Sequence, residues 1–150
     1  MSDPLYPFPL FRYHVEFSRQ RENDVAVAYG AFSECTGLEA TMEAKVIKAG
    51  GANYGAYQRA GRVTFATVIL KRGITTNRDL WRWFAHVSER GKYAYRLDVK
   101  IIVNRDAEQA VTIQLFQALP VKFKFGDLNA KATDVGIEEL HLAHEGLAIS

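Results

Sequence analysis

Apolar and polar side chains alternate with a period of two along most of this chain. The pattern is clear in "FRYHVEF" (11–17), "ATMEAKVI" (40–47), "LDVKIIV" (97–103) and "VTIQL" (111–115). Successive side chains of a β-strand point to opposite faces, so each segment predicts a strand with one apolar and one polar face. We count seven or so such strands, most of them adjacent in sequence.

One stretch, "ILKRGITTNRDLWRWF" (69–84), departs from this alternation. Its basic corner turns the chain out of a strand, and Thr76 with Asp79 forms an approximate capping box for a helix that Gly91 ends. The tryptophans fit a helix anchored on a sheet better than a platform for stacking a ligand. The residues expected to pack this helix against the sheet are Leu80, Trp81, Trp83 and Phe84.

The predicted fold class is mainly β, an antiparallel β-barrel or sandwich with a single flanking α-helix. A length of 150 residues fits one domain spanning residues 1–150. Three prolines predict an extended N-terminal arm over residues 1–10. Residues 48–60 are rich in glycine, alanine and tyrosine without a hydrophobic period, which predicts a long connection, and such connections are usually functional.

Composition and charge exclude few classes of function, but they reduce the support for some of them. Lys and Arg number 19 against 17 Asp and Glu, and the two signs are interspersed, which is weak support for a nucleic-acid surface. No apolar run approaches the roughly 20 residues that span a bilayer, and the first residues lack signal-peptide features, so we expect synthesis in the cytoplasm. The single cysteine, Cys35, is read as a small buried apolar residue.

Neither a metal site nor a catalytic motif is evident in the sequence. His141 and His144 are an odd number of residues apart in one predicted strand, so their side chains would point to opposite faces. The glycine-rich segment lacks the dinucleotide-binding spacing, and no nucleophile elbow is present. We therefore predict no catalytic residue, no cofactor, no metal and no enzymatic activity.

Four segments, in order and spacing, resemble the tail tube protein family of contractile phages and phage-derived contractile injection systems. They are "AFSECTGLEATMEAKVIKAGG", "VILKRGITTNRDLWRWF", "ALPVKFKFGDLNA" and "IEELHLAHEGLAI". The N-terminal "DPLYPFPLFRYHVEF" is similar to that family's entry strand. Three features differ from the family pattern: Leu119 where a tryptophan is frequent, Cys35 where valine is common, and an alanine-rich segment 48–62.

The resemblance implies a hexameric ring with a β-lined lumen. Rings would stack into a rigid hollow tube that conducts DNA or protein cargo and is driven through a target envelope by sheath contraction. Its partners would be other copies of the chain, a sheath protein, and baseplate or initiator and terminator proteins, with no direct membrane anchoring. The particle would be a phage tail, a bacteriocin-like particle or a toxin-loaded injection system, alternatives that the sequence leaves open.

Two sets of residues follow for such a tube. Strand parity selects the lumen-facing candidates as the residues on the polar faces of the strands. Their mixed charges would keep the channel from binding its cargo too strongly. These are Glu39, Thr41, Glu43, Lys45, Asp98, Lys100, Thr112 and Gln114. The candidates for inter-subunit contact in the long connection are Lys48, Gly50, Gly51, Asn53, Tyr54, Tyr57 and Arg59.

Two other functions remain open at this point. One is a tube-initiator or baseplate ring protein of the same machine. The other is a monomeric β-barrel that binds nucleic acid or a small ligand, to which basic and aromatic segments such as "PVKFKF" (120–125) would contribute. A binding module predicts a discrete monomer, whereas a tube subunit predicts rings or filaments that depend on concentration.

Overall fold

Ten β-strands and one α-helix make up the described part of the chain. The structure is a computed structural model that describes residues 12–18, 26–30, 32–48, 50, 55, 57–74, 78–89, 96–105, 108–131 and 136–150. The elements are β1 (Arg12–Ser18), β2 (Ala26–Gly30), β3 (Glu34–Thr36), β4 (Ala40–Ile47), β5 (Tyr57–Phe65), β6 (Val68–Gly73), α1 (Asp79–Glu89), β7 (Leu97–Arg105), β8 (Glu108–Phe125), β9 (Ile137–Ala143) and β10 (Gly146–Ile149).

Eight strands form one curled antiparallel sheet, which we call the main sheet. Its order is β2-β1-β7-β8-β9-β6-β3, and β10 also pairs with β8. The sheet curls into a half-barrel, and α1 lies against it. The prediction of a mainly β fold with one helix is confirmed. The predicted arm over residues 1–10 lies outside the described residues.

The curl is concentrated in β8, which has 18 residues and changes partners along its length. Gln117 adopts a positive φ of 53°, and the register with β7 shifts between Leu97 and Val99. Asp98 lies at this bulge, where its carboxylate accepts a hydrogen bond from the Gln117 amide at 3.1 Å. An extra residue in one strand bends it and increases its twist, so this bulge turns β8 from one half of the sheet into the other.

The core lies on the concave side of the curl, under the helix. Leu80, Trp83 and Val87 form the buried stripe of α1. The Trp83 ring meets Phe17 of β1 edge to face at a centroid distance of 5.6 Å. The other buried apolar residues of this core cluster are Val15, Phe32, Val68, Leu70, Leu97, Val99, Ile101, Leu115, Ala118, Leu140 and Leu142. Burial of each larger side chain stabilises the fold by about 1.5–3 kcal/mol.

A buried ion triad joins the helix to the sheet. Arg72 of β6 donates hydrogen bonds to Glu138, its cross-strand neighbour on β9, and to Asp79, the first residue of α1. Burial alone would lower the pKa of Arg72, but its hydrogen bonds with the two carboxylates raise the pKa above its usual value. The guanidinium also lies 5.5 Å from the centre of the Phe32 ring. The basic corner of the sequence is therefore a structural clamp.

The two-stranded ribbon made by residues 34–47 and 57–71 has a sharp corner. Its inner half, β3 with β6, belongs to the main sheet, and its outer half, β4 with β5, forms a separate two-stranded sheet. At the corner, Gly37 has a φ of 86°, and a Cβ there would lie 2.1 Å from the Thr67 carbonyl oxygen. Only glycine fits this combination of conformation and close approach.

The sequence prediction merged several strands that the structure separates. The apolar run in "RVTFATVILKRG" (62–73) predicts one strand, but the structure breaks it at Ala66 and Thr67, which are part of the corner. The segment "IEELHLAHEGLAI" (137–149) predicts one final strand, which the structure interrupts at His144 and Glu145, opposite the bend in β8. Residues 75–77, where a helix cap was expected, lie outside the described residues, and α1 begins at Asp79.

We expect Arg72→Met to lower the free energy of unfolding by about 3–5 kcal/mol, because it leaves the buried Glu138 carboxylate without its cation. Arg82→Met, at an exposed arginine of α1, should change the free energy of unfolding by at most about 0.5 kcal/mol. Urea unfolding at a concentration that keeps the protein monomeric measures both. A loss below about 1 kcal/mol for Arg72→Met would show that the triad is not a clamp.

Candidate assembly interface

The hairpin β4–β5 projects from the fold and has almost no cover. Every residue of β4 is exposed, and in β5 only Gly61 and Phe65 are partly buried. In the part of the chain that the structure describes, neither strand pairs with the main sheet. Phe65 at the base contacts the ring of His144 at a centroid distance of 5.2 Å. A two-stranded hairpin is at best marginally stable in water, so this one needs further contacts.

The register of the hairpin gives it one apolar face. Met42 pairs with Val63, Ala40 with Phe65 and Ala44 with Ala60, and residues paired across a ladder point to the same side. Three of its large side chains are strongly exposed, Met42 at 55%, Val46 at 57% and Val63 at 42%. We call this the apolar hairpin face; its residues are Ala40, Met42, Ala44, Val46, Ala60, Val63 and Phe65.

The opposite face of the hairpin carries a polar row from the predicted lumen set. Thr41 pairs with Thr64 and Lys45 with Arg59. The extra residue of the bulge lies in β5, where Gly61 approaches the Glu43 carbonyl, so the parity of β4 is uninterrupted. Thr41, Glu43 and Lys45 therefore share one face of β4, and the structure places all three on the exposed surface.

The remaining lumen candidates lie elsewhere. Lys100 pairs with Gln114 and Ile102 with Thr112 on the convex side of the main sheet, where Lys100, Thr112 and Gln114 are half-buried. The lumen candidates of β4 and those of β7 and β8 thus lie in separate sheets of one chain. Glu39 is exposed at the corner, and its carbonyl accepts a hydrogen bond from the Ala66 amide.

Asp98 is the lumen candidate whose side chain is buried in the structure. Its side chain is only 6% exposed, and its carboxylate satisfies the Gln117 amide at the bend of β8. The extra residue lies in β8, so Asp98 keeps the face that strand parity gives it, opposite the buried Leu97 and Val99. The bulge of β8 covers its carboxylate on that face, and the alternation of β7 carries no sign of this cover.

The predicted connection over residues 48–60 is shorter than expected. Lys48 and Gly50 are exposed beyond the end of β4. Tyr57 and Arg59, however, are strand residues of β5, paired with Ile47 and Lys45. Because these residues are exposed, a pattern that looks for one buried face does not predict β5. Gly51, Asn53 and Tyr54 lie outside the described residues.

A second exposed surface joins the helix to the end of β8. Trp81, predicted to pack the helix against the sheet, contacts Phe123 of β8 at a ring-centroid distance of 5.4 Å but is 44% exposed, and its ring centroid lies 6.0 Å from that of Phe84. The Arg78 guanidinium lies 5.8 Å from the centre of the Phe125 ring. These groups line a cavity of about 430 Å³. We call Arg78, Trp81, Phe123 and Phe125 the aromatic groove.

The predicted helix-packing residues divide accordingly: Leu80 and Trp83 are buried, Phe84 is half-buried and Trp81 faces the groove. The alternation "VKFKF" (121–125) is the sequence signal of this surface, although such alternation more often indicates a strand with its aromatic face in the core. Only the tertiary fold leaves that aromatic face near the exterior.

The outer side of β3, β6, β9 and β8 carries a row of alternating charges. Lys71 lies 3.6 Å from both Glu34 and Glu139, and Glu139 pairs across the ladder with Lys124. A hydrogen bond with His141, together with nearby positive charges, holds the pKa of Glu139 below its usual value. Together with the loop after β8, the row borders a cavity of about 760 Å³. Exposed ion pairs of this kind add little to the stability of the fold.

The histidines and the cysteine occupy structural positions. His141 contacts Glu139, whereas His144 lies in the break between β9 and β10 with Nδ1 2.9 Å from the Gly146 carbonyl oxygen. No group of three potential metal ligands occurs among the described residues. Burial raises the pKa of the Cys35 thiol to about 11, and burial, with charges at Cys35 and Glu34, raises the pKa of Tyr13 to about 12.

The described part of the chain includes no helix long and apolar enough to cross a membrane.

Comparison with known proteins gives consistent matches. The model of the family described as T4-like virus tail tube protein gp19 matches residues 9–148. No curated protein sequence matches this chain.

Solved structures share the fold over nearly all of the chain. A chain of the anti-feeding prophage baseplate is 26% identical with a TM-score of 0.82, covering 100% of this chain and 97% of that one. A chain of the PVC sheath–tube complex, an extracellular contractile injection system in the extended state, is 18% identical, with a TM-score of 0.79 and coverage of 98% and 93%. Hcp1 from Flavobacterium johnsoniae is 11% identical, with a TM-score of 0.60 and coverage of 93% and 94%.

We expect the Cys35 thiol of the folded protein to react with iodoacetamide at pH 8 about 100-fold more slowly than in the unfolded chain, because the thiolate is the reactive form. Its pKa rises from its usual value near 9 to about 11, so the thiol stabilises the fold below pH 9 and loses this contribution between pH 9 and 11. Leu128→Cys, at a position 81% exposed, provides the fast-reacting control in a Cys35→Ala background. Equal labelling rates at the two positions would contradict this.

Proposed function

Because this chain belongs to the T4-like virus tail tube protein family, we propose that it is a structural inner tube subunit whose hexameric rings stack into a rigid hollow tube. In this proposal, residues 1–150 act as one tail tube domain, the tube conducts DNA or protein cargo, and a contracting sheath drives it through a target envelope. The structural character of the family supports a function other than catalysis. The chain is made in the cytoplasm and assembled into a phage tail or contractile injection particle.

The apolar hairpin face is the observation that carries this proposal. Met42, Val46 and Val63 are exposed together on a two-stranded sheet that pairs with no other strand among the described residues. A neighbouring copy that covers this face removes apolar area from water and adds strands to the hairpin edges. Such head-to-tail contacts close into a ring when the rotation between copies is a simple fraction of a turn.

When a neighbouring copy covers the apolar hairpin face, the opposite face of the hairpin remains in contact with water. We assign the polar row Thr41, Glu43 and Lys45 to the lumen of the assembled tube, with Glu39 at its end. Lys100, Thr112 and Gln114 on the convex side of the main sheet extend this set in the proposal. In this proposal the segment of the chain between β4 and β5, which includes Lys48, Gly50, Gly51, Asn53 and Tyr54, contacts the next ring or the next subunit.

The partners of the proposed tube are other copies of this chain, a sheath protein, and baseplate and terminator proteins. The similar chains come from a sheath–tube complex and from a baseplate, which supports these partner classes. A related function as a baseplate or tube-initiating ring is the second candidate, because the similar baseplate chain is 26% identical over the full length of this chain. A monomeric binding module is less well supported, since it would leave the apolar hairpin face in water.

Met42→Asp should prevent the formation of rings and tubes, because it places a charge in the centre of the buried contact. Thr41→Asp, one residue away and on the opposite face, should leave assembly intact. Negative-stain electron microscopy and sedimentation across a concentration series measure the effect, and circular dichroism confirms that both variants fold. Equal assembly of the two variants, or equal loss, would rule out the apolar hairpin face as the contact.

The lumen assignment predicts selective access to Lys45. In assembled tubes of a Cys35→Ala background, Lys45→Cys should react with a small biotin-maleimide but should not bind streptavidin added afterwards, because the folded probe has to enter the channel. Leu128→Cys should accept both reagents if it lies on the outer surface, and disassembled Lys45→Cys should accept both as well. Streptavidin binding to intact Lys45→Cys tubes would place this row on the outside.

A further inference from the structure

The aromatic groove is a built apolar surface that no described segment of the chain covers. Trp81 is 44% exposed and Phe125 41% exposed, while Phe123 forms the floor between them. The ring faces stand in different orientations, with an angle of 57° between the planes of Trp81 and Phe123. Differently oriented aromatic rings with one cation at the rim are the lining that binds proline-rich peptides in the polyproline II conformation.

The chain itself carries a segment of that chemistry. Residues 1–11, "MSDPLYPFPLF", contain Pro4, Pro7 and Pro9, and Pro4 and Pro7 have the P-x-x-P spacing. Proline limits the conformations of the free segment, so ordering it on a surface costs less entropy than ordering an ordinary peptide. Asp3 directly precedes the first proline and is complementary in charge to Arg78 at the groove rim.

The reach of this segment selects a groove on another copy. Arg12 is level with Gln109 of β8, since both lie opposite Asn104 of β7, and Phe123 is fourteen residues farther along β8. Even with a right-angle bend at Gln117, the separation is on the order of 30 Å at about 3.3 Å per residue. Pro4 precedes Arg12 by eight residues, which span roughly 25 Å in polyproline II.

We propose that residues 3–9 of one subunit dock in the aromatic groove of a neighbouring copy. This inference rests on the proposed function, because assembly brings the copies into contact. The arm then acts as a second link between subunits, separate from the apolar hairpin face. It adds affinity by raising the effective concentration of each contact once the other has formed.

Disulfide trapping between two populations of full-length chain tests this. In a Cys35→Ala background, one population carries Leu5→Cys and a size tag, and the other carries Arg78→Cys. Under mild oxidation of mixed assemblies, we expect about tenfold more heterodisulfide than with Ser88→Cys, an exposed position in the last turn of the same helix. Pro4→Ala with Pro7→Ala in the arm should lower the yield about fivefold.

The outcomes separate this inference from the proposed tube. Rings that form without enriched heterodisulfide at position 78 would overturn the arm contact and leave the tube intact. A chain carrying both Leu5→Cys and Arg78→Cys that gives only an internal disulfide would show docking within one subunit and overturn the link. Failure of both ring formation and heterodisulfide formation would overturn both proposals.

Discussion

The Arg72 triad is the contact on which the positions of both candidate surfaces depend. It ties β6, β9 and the first residue of α1 at one buried point, where Glu138 is 1% exposed. Because the charges are out of water, the guanidinium and both carboxylates must keep their mutual geometry, and loss of one member leaves another unpaired. The triad thereby fixes where α1 begins, which places Trp83 in the core and Trp81 in the aromatic groove. At the other end of the same strand, β6 begins directly after the corner from which the hairpin projects.

The corner at Gly37 separates a self-sufficient body from a dependent hairpin. Residues of the main sheet bury their apolar sides under α1, whereas β4 and β5 bury almost nothing in the isolated chain. In the proposed tube, the stability of the hairpin is therefore coupled to association with a neighbouring copy. The core of such a subunit is complete in the monomer, whereas its hairpin gains pairing partners only when a neighbouring copy binds. This favours growth of the tube by addition of folded copies.

The two proposed contacts differ in their physics. The hairpin face offers aliphatic area and open strand edges, and the aromatic groove offers rings that match a proline-rich segment. One contact is part of a sheet and depends on register, and the other depends on a flexible tether of limited reach. A pair of unlike contacts of this kind couples neighbouring subunits more firmly than either contact alone.

The sequence by itself determined the fold class, the helix, the buried stripe of Leu80 and Trp83, and the family, because strand alternation, helical spacing and ordered motifs are local signals. It also determined that Thr41, Glu43 and Lys45 share one face, since β4 has no bulge of its own. Only the tertiary structure decided that Asp98 is buried, that Trp81 is largely exposed and that Tyr57 belongs to a strand. Each of these depends on a contact with residues distant in sequence, namely the bend of β8 at Gln117, the open end of β8 beside α1, and the pairing of β5 with β4. A periodic pattern records which side of an element is apolar, but the partner that covers that side is set by the packing of the whole chain.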